Sequence, residues 1–267
     1  MKKTTSTLFI ALFGVVSVSV SAHSMFIIPA SFQVEAGKVL AVAVNSTDVF
    51  PESDFADTNL STLNLHGGSE VIGVDLKEND KRMIGAVAIS SPSHIFMTTS
   101  TATATLEIEA KDFNDYVSEE SLDHVIAARE QSGETDKAAT ERYTKYAKAL
   151  LLSEQTDEQF DRALGLPLEF IVEKNPYAAK VGDALPVRVL FEGQPAADLD
   201  ITAFWLSANG PERQIVGRTD AEGRANITLS AAGAWNLHTI HMERSNDTGV
   251  DWESHWTTLT FEVPLAE

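Results

Sequence analysis

Between residues 26 and 110, and again from residue 168 to residue 263, apolar side chains recur at every second position in short runs separated by turn residues. A repeat of two is the period of a strand with one buried face, so both stretches predict β structure. In the first stretch the runs cover residues 38–44, 69–76, 82–89, 93–99 and 103–109, with a turn signalled at His66-Gly67-Gly68. Their enrichment in Val, Ile and Thr suits a pleated, half-buried surface. In the second stretch seven runs cover residues 168–172, 185–191, 201–206, 213–219, 224–229, 235–242 and 256–263, and Asp220-Ala221-Glu222-Gly223 reads as a turn. Seven short alternating strands in about 100 residues predict an immunoglobulin-like sandwich.

The pattern changes at Lys111. Ser118 reads as a helix cap followed by Glu119 and Glu120 at the positive end of the macrodipole. Leu122, Val125 and Ile126 then share one face, and Ser132-Gly133 ends the helix. Tyr143, Tyr146, Ala147, Leu150 and Leu151 follow the spacing of an amphipathic helix, with the tyrosines expected to pack against a sheet. A short third helix is signalled by capping at residues 156–159 and a stop at Gly165. The chain therefore reads as mainly β. A sandwich-like N-terminal domain (23–110) and a helical hairpin (111–165) precede an immunoglobulin-like sandwich (166–267).

Residues 1–22 read as a signal peptide. Lys2 and Lys3 precede an apolar run from Leu8 to Val20, and Val20 and Ala22 supply the small residues at the cleavage site. The run is too short to span a bilayer, so the processed chain is expected to be periplasmic and to have no membrane span. Removing Lys2 and Lys3 from 20 basic residues leaves 18 against 39 acidic ones, a charge of −21. That balance excludes nucleic acid and anionic membrane surfaces as partners and favours cations. An exported chain with no cysteine is held by its cores alone.

No phosphate loop, nucleophile elbow, zinc-protease helix or cysteine nucleophile is present, so nothing asks for an enzyme. Seven histidines remain after processing: His23, His66, His94, His124, His238, His241 and His255. His23 becomes the first residue, where its amine and Nδ1 can chelate one ion. His238 and His241, three apart on a strand, point to opposite faces unless a bulge intervenes. Asp251 and His255 read as part of the connection into the last strand. His66, His94 and His124 read as surface residues, the first two also being possible ligands. The expected metal set is His23 and His241, with His238, Asp251 and His255 in reserve. Nitrogen ligands of this kind suit Ni, Co or Cu.

Several segments carry a resemblance: residues 23–29, 141–151 and 175–193, the turn at 219–223, His241-Met242, and Asp251-Trp252-Glu253-Ser254. In these the chain resembles a bacterial family of secreted proteins of unknown function, often described as a periplasmic component of nickel or cobalt uptake. The resemblance implies a protein that handles a transition metal beside an outer-membrane receptor or inner-membrane transporter. It matches His23 to the family's N-terminal histidine and His241-Met242 to its His-Met pair. Transporter receptors alternate strands and helices and this chain does not, so an accessory role is expected. The alternative is an immunoglobulin-like module that binds a protein or glycan at the cell surface. A third reading is a copper enzyme built on the N-terminal histidine. Intact mass of the exported protein is expected to correspond to a chain starting at His23; any other start removes the chelating amine.

Overall fold

The computed structural model describes residues 23–90, 95–153, 159–207 and 209–265. The first part of the chain forms β1 (Ser24–Pro29), β2 (Gln33–Val34), β3 (Val39–Thr47), β4 (Leu63–Gly67), β5 (Glu70–Val74), β6 (Lys77–Asn79), β7 (Arg82–Ala88), β8 (Ile95–Ser100) and β9 (Ala104–Ile108). Two helices follow, α1 (Ala110–Glu119) and α2 (Asp123–Ser132). The rest forms β10 (Ala139–Ser153), β11 (Leu168–Val172), β12 (Ala184–Phe191), β13 (Gln194–Pro195), β14 (Asp200–Ser207), β15 (Gly210–Arg218), β16 (Arg224–Thr228), β17 (Gly233–Arg244) and β18 (Trp252–Val263). The protein is mainly β, as the alternating runs predict. No helix among the described residues is long and apolar enough to cross a membrane.

A ten-stranded sheet runs β15-β14-β17-β18-β10-β8-β4-β5, with β2 and β9 also paired to β10. One face lies under the sheet β1-β3-β7-β6, whose Met25, Ile27, Val42 and Val44 share a core with Leu65, Met97 and Ala149. Further along the same face, α1 and α2 cover Ile240, Met242, Trp252 and Trp256 with Phe113, Val117 and Val125. The opposite face packs against a small sheet of β11, β12, β13 and β16. With β14, β15, β17 and β18, this small sheet makes the immunoglobulin-like sandwich. In place of a disulfide, its centre holds Trp205 stacked on Trp235 at 4.9 Å, with Phe261 beyond. The turn at residues 220–223 requires its glycine: φ is +72°, and a Cβ at Gly223 would stand 2.6 Å from the Val189 carbonyl oxygen.

Residues 139–153 are a strand, not the helix that their spacing predicts. β10 pairs in parallel with β18 and antiparallel with β8 and β9. Both of its faces are buried, so apolar residues fall on consecutive positions and the alternation that marks a one-sided strand is lost. Tyr146 and Ala147, neighbours on the supposed helical stripe, face opposite sides of the sheet. The helical pair itself lies earlier, at residues 110–132. Ser118 stands at the end of α1 rather than capping a helix, and Phe113, Tyr116 and Val117 form the buried face. Gly133 does end α2, in the left-handed conformation. The third helix appears as a single 3-10 turn at Gln159–Asp161, and its proposed cap at Thr156 lies outside the described residues, as does His94.

β10 can cross the interior because its polar side chains are satisfied there. Lys148, 2% exposed, donates to Glu169 at 2.7 Å and to the Arg162 and Phe170 carbonyls at 3.0 and 3.1 Å. Glu169 also accepts the backbone N–H groups of Leu164, Gly165 and Leu166. Removing one partner of such a pair leaves the other charge buried and unpaired. Lys148→Met is expected to cost about 3–5 kcal/mol in urea-induced unfolding; a loss within experimental error would show that the pair does not anchor the strand.

Candidate functional site

The five expected ligands fall at separate places, and the sheet decides which can meet. In the β17–β18 register, His238 pairs with Thr258, Ile240 with Trp256 and Met242 with Ser254, which puts these side chains on the helix-covered face. His241 pairs with His255 and Glu243 with Glu253, on the other face. No bulge interrupts β17 between His238 and His241, so the odd offset separates them as the strand period requires.

His238 is fully buried. Its Nε2 lies 3.3 Å from Glu120 Oε2 just past the end of α1, and Glu120 also accepts from Arg213 at 3.0 Å. Trp256 and Phe204 flank the imidazole. Beside it is a cavity of about 30 Å³, lined among others by Asp123, His124, Asp200 and Arg218. His238 thus ties the helices to the sheet. Asp251 precedes β18 and accepts the backbone N–H of Thr140 through Oδ2 at 2.8 Å, so it fixes the start of β10. His255 belongs to β18 itself, not to the connection before it.

His23 stands directly before β1, on the helix-covered side. Its carbonyl accepts the Lys145 ammonium at 2.6 Å, and that ammonium lies 5.0 Å from the ring centre of Trp256. Lys145 and Trp256 are register partners on that same face. The sheet therefore stands between His23 and His241, and the two cannot share an ion as expected from sequence. His23 has other neighbours. Its Nε2 is 3.3 Å from Asp54 Oδ2 and 3.9 Å from Asp48 Oδ2, and its ring meets Phe55 edge-on at 5.3 Å. Thr47 Oγ1 donates to the same Asp54 oxygen at 2.6 Å. These aspartates lie in the connection between β3 and β4; the isolated bridge between Ser46 and Phe55, which folds that loop back on β3, has no sequence signal.

On the far face His241 stacks on Phe191 at 4.1 Å, and His255 Nδ1 meets the Tyr146 hydroxyl at 3.1 Å. His66 bonds Thr98 Oγ1 at 2.8 Å, and His124 the Met242 carbonyl at 2.8 Å. His124 is exposed on α2, as the sequence predicts, whereas His66 is half-buried on β4 within the central sheet. Among the described residues no three His, Asp or Glu side chains already form a metal-holding group.

Burial holds the imidazoles of His66, His241 and His255 below their ordinary value. Each takes up a proton more readily in the unfolded chain, so its contribution is intact above the reference value of about 6.5 and drains as pH falls beneath it. Burial raises the Glu141 carboxyl, held by Tyr116 and Ser254, and this acts in the opposite sense at lower pH. With chelator present, the urea midpoint is expected to fall between about pH 7.5 and about pH 5.5, and His241→Gln with His255→Gln to flatten the slope. A level or rising midpoint contradicts the placement.

None of the curated proteins compared matches the chain. Among solved structures it is similar to a DUF4785-family protein from Legionella pneumophila, at 9% identity and TM-score 0.26, over 80% of this chain and 52% of that one. It therefore spans about half the length of that protein. It is also similar to the D0-D1 domain of intimin, at 13% identity and TM-score 0.21, over 88% of this chain and 97% of that one. The adhesin FdeC of Escherichia coli gives 14% identity and TM-score 0.24, over 92% and 66%. Overlaps this low carry no argument about function. The sequence family is another matter: DUF4198, a domain of unknown function, matches residues 20–243, and the chain belongs to it.

Proposed function

We propose that the chain is a periplasmic accessory protein that binds a divalent transition-metal ion, as cargo, at its processed N-terminus. One observation carries the reading: Nε2 of His23 faces Asp54 Oδ2 at 3.3 Å, and Thr47 holds that carboxylate in place. Metal-ligating histidines commonly donate their second ring N–H to a carboxylate, which fixes the tautomer and leaves the other nitrogen free to ligate. Here the other nitrogen is Nδ1. It is the one that closes a chelate ring with the amine of its own residue once residue 22 has been removed.

The surroundings suit that arrangement. Lys145 anchors the His23 carbonyl, so the backbone of the chelating residue is held against the sheet. Asp48 adds a second carboxylate on the Nε2 side. Two neutral nitrogens favour Ni, Co or Cu over Ca and Mg. The acidic surface raises the local cation concentration without selecting among ions. An outer-membrane receptor or inner-membrane transporter is the partner class that such a carrier would serve. We assign it no catalytic step.

The test is calorimetric titration with NiCl2 and CuCl2 of three proteins: the chain starting at His23, the same chain preceded by one Ala, and Asp54→Asn. The Ala extension is expected to remove one equivalent of tightly bound ion, and Asp54→Asn to weaken that equivalent about tenfold. Equal stoichiometry and affinity in all three would overturn the reading.

A further inference from the structure

The antiparallel register that sets His241 opposite His255 also sets Glu243 opposite Glu253, one step along the same face. The segments His241-Met242-Glu243 and Glu253-Ser254-His255 thus pair histidine with histidine and carboxylate with carboxylate, while Met242 and Ser254 turn to the other side. Directly opposed residues have Cβ atoms about 4.5–5.5 Å apart. The two imidazoles also touch a common ring: Phe191, at the end of β12, has its centre 4.1 Å from that of His241 and 5.1 Å from that of His255. They therefore stand side by side where the small sheet meets the central one.

Their nitrogens are sorted by what they face. Nδ1 of His255 is taken by the Tyr146 hydroxyl, and Nδ1 of His241 is buried without a partner among the described residues. Nε2 is the ring nitrogen left over on each. Next to them Arg142 grips Glu253 at 2.7 and 3.3 Å and reaches Asp247 at 2.7 Å. Glu243 is exposed and makes no ion pair among the described residues. Like charges placed directly opposite one another are destabilising, and the guanidinium here pairs with Glu253 and Asp247 but not with Glu243. A second cation would offset that cost.

We infer that His241 and His255 form a bis-imidazole site for a late first-row divalent cation. The site lies on the face of the sheet turned away from His23, and it depends neither on N-terminal processing nor on the N-terminal reading. Burial disfavours the protonated form of both imidazoles. Two imidazole nitrogens select Ni, Cu or Zn; Ca and Mg ask for oxygen ligands. The Tyr146 hydroxyl supplies the outer partner that orients a ligating imidazole.

The experiment uses the processed chain with one added N-terminal Ala, which masks the His23 amine, so the outcome is read whether or not the N-terminal reading holds. Titration with ZnCl2 is expected to show one equivalent bound, weakened about tenfold or more by His241→Gln and by His255→Gln, while CaCl2 shows none. A readout on the unaltered side chains guards against variants that fail to fold. In 1H–15N spectra of the histidine rings, the signals of His241 and His255 should shift together and saturate at one equivalent of Zn. No saturable binding, unchanged affinity in both folded variants, or other histidines shifting first would overturn the site.

Discussion

The interaction on which the rest of the molecule depends is the burial of β10 on both faces. This strand pairs with β18 on one side and with β8 and β9 on the other, so it joins the first and last parts of the chain in one sheet. A strand in that position must bring its own polar side chains inside. Glu141 is received by Tyr116 and Ser254, Lys145 by the His23 carbonyl, and Lys148 by Glu169 and two carbonyls. These partners come from across the chain, so α1, the residue before β1, β11 and β18 are all fixed to the same strand by charge-assisted or buried hydrogen bonds. Such bonds are costly to leave half made, and this gives them a strong influence on which packing the chain accepts.

That dependence also explains what could be read in the sequence. In the immunoglobulin-like sandwich β12 and β16 were the most legible from period two, because buried and more exposed positions alternate along them. The opposite facing of His238 and His241 was legible for the same reason. β10 was not. Its pattern of apolar residues is set by two covers at once, and the partners of Glu141 and Lys148 lie 113 and 21 residues away in the chain. Of the proposed site, His23 was picked out by the expected cleavage after Ala22, but Asp54 and Thr47 were not. The loop that carries Asp54 is placed by folding back on β3, and no local residue pattern encodes that return.

The central sheet then acts as a partition. His23, His238 and the helices lie on one side; His241, His255 and the small sheet lie on the other. A histidine count from sequence suggested a single convergent site, but strand register divides the set into a lone N-terminal imidazole backed by a carboxylate, a structural His–Glu pair, and a cross-strand pair beside Phe191. These three environments have different chemistry. Only the first would be completed by the expected cleavage after Ala22, only the second is closed off from solvent, and only the third offers two imidazoles together. A carrier with an N-terminal ligand and a separate cross-strand pair would have two places to hold an ion, on opposite surfaces of one rigid sheet.

Anomalous diffraction at the nickel edge tests this partition most directly, using crystals of the chain that begins at His23 grown with NiCl2. The account predicts two peaks on opposite faces of the central sheet, one at Nδ1 of His23 and one between His241 and His255. A single peak bonded to both His23 and His241, or a peak at the His238–Glu120 pair in their place, would contradict it.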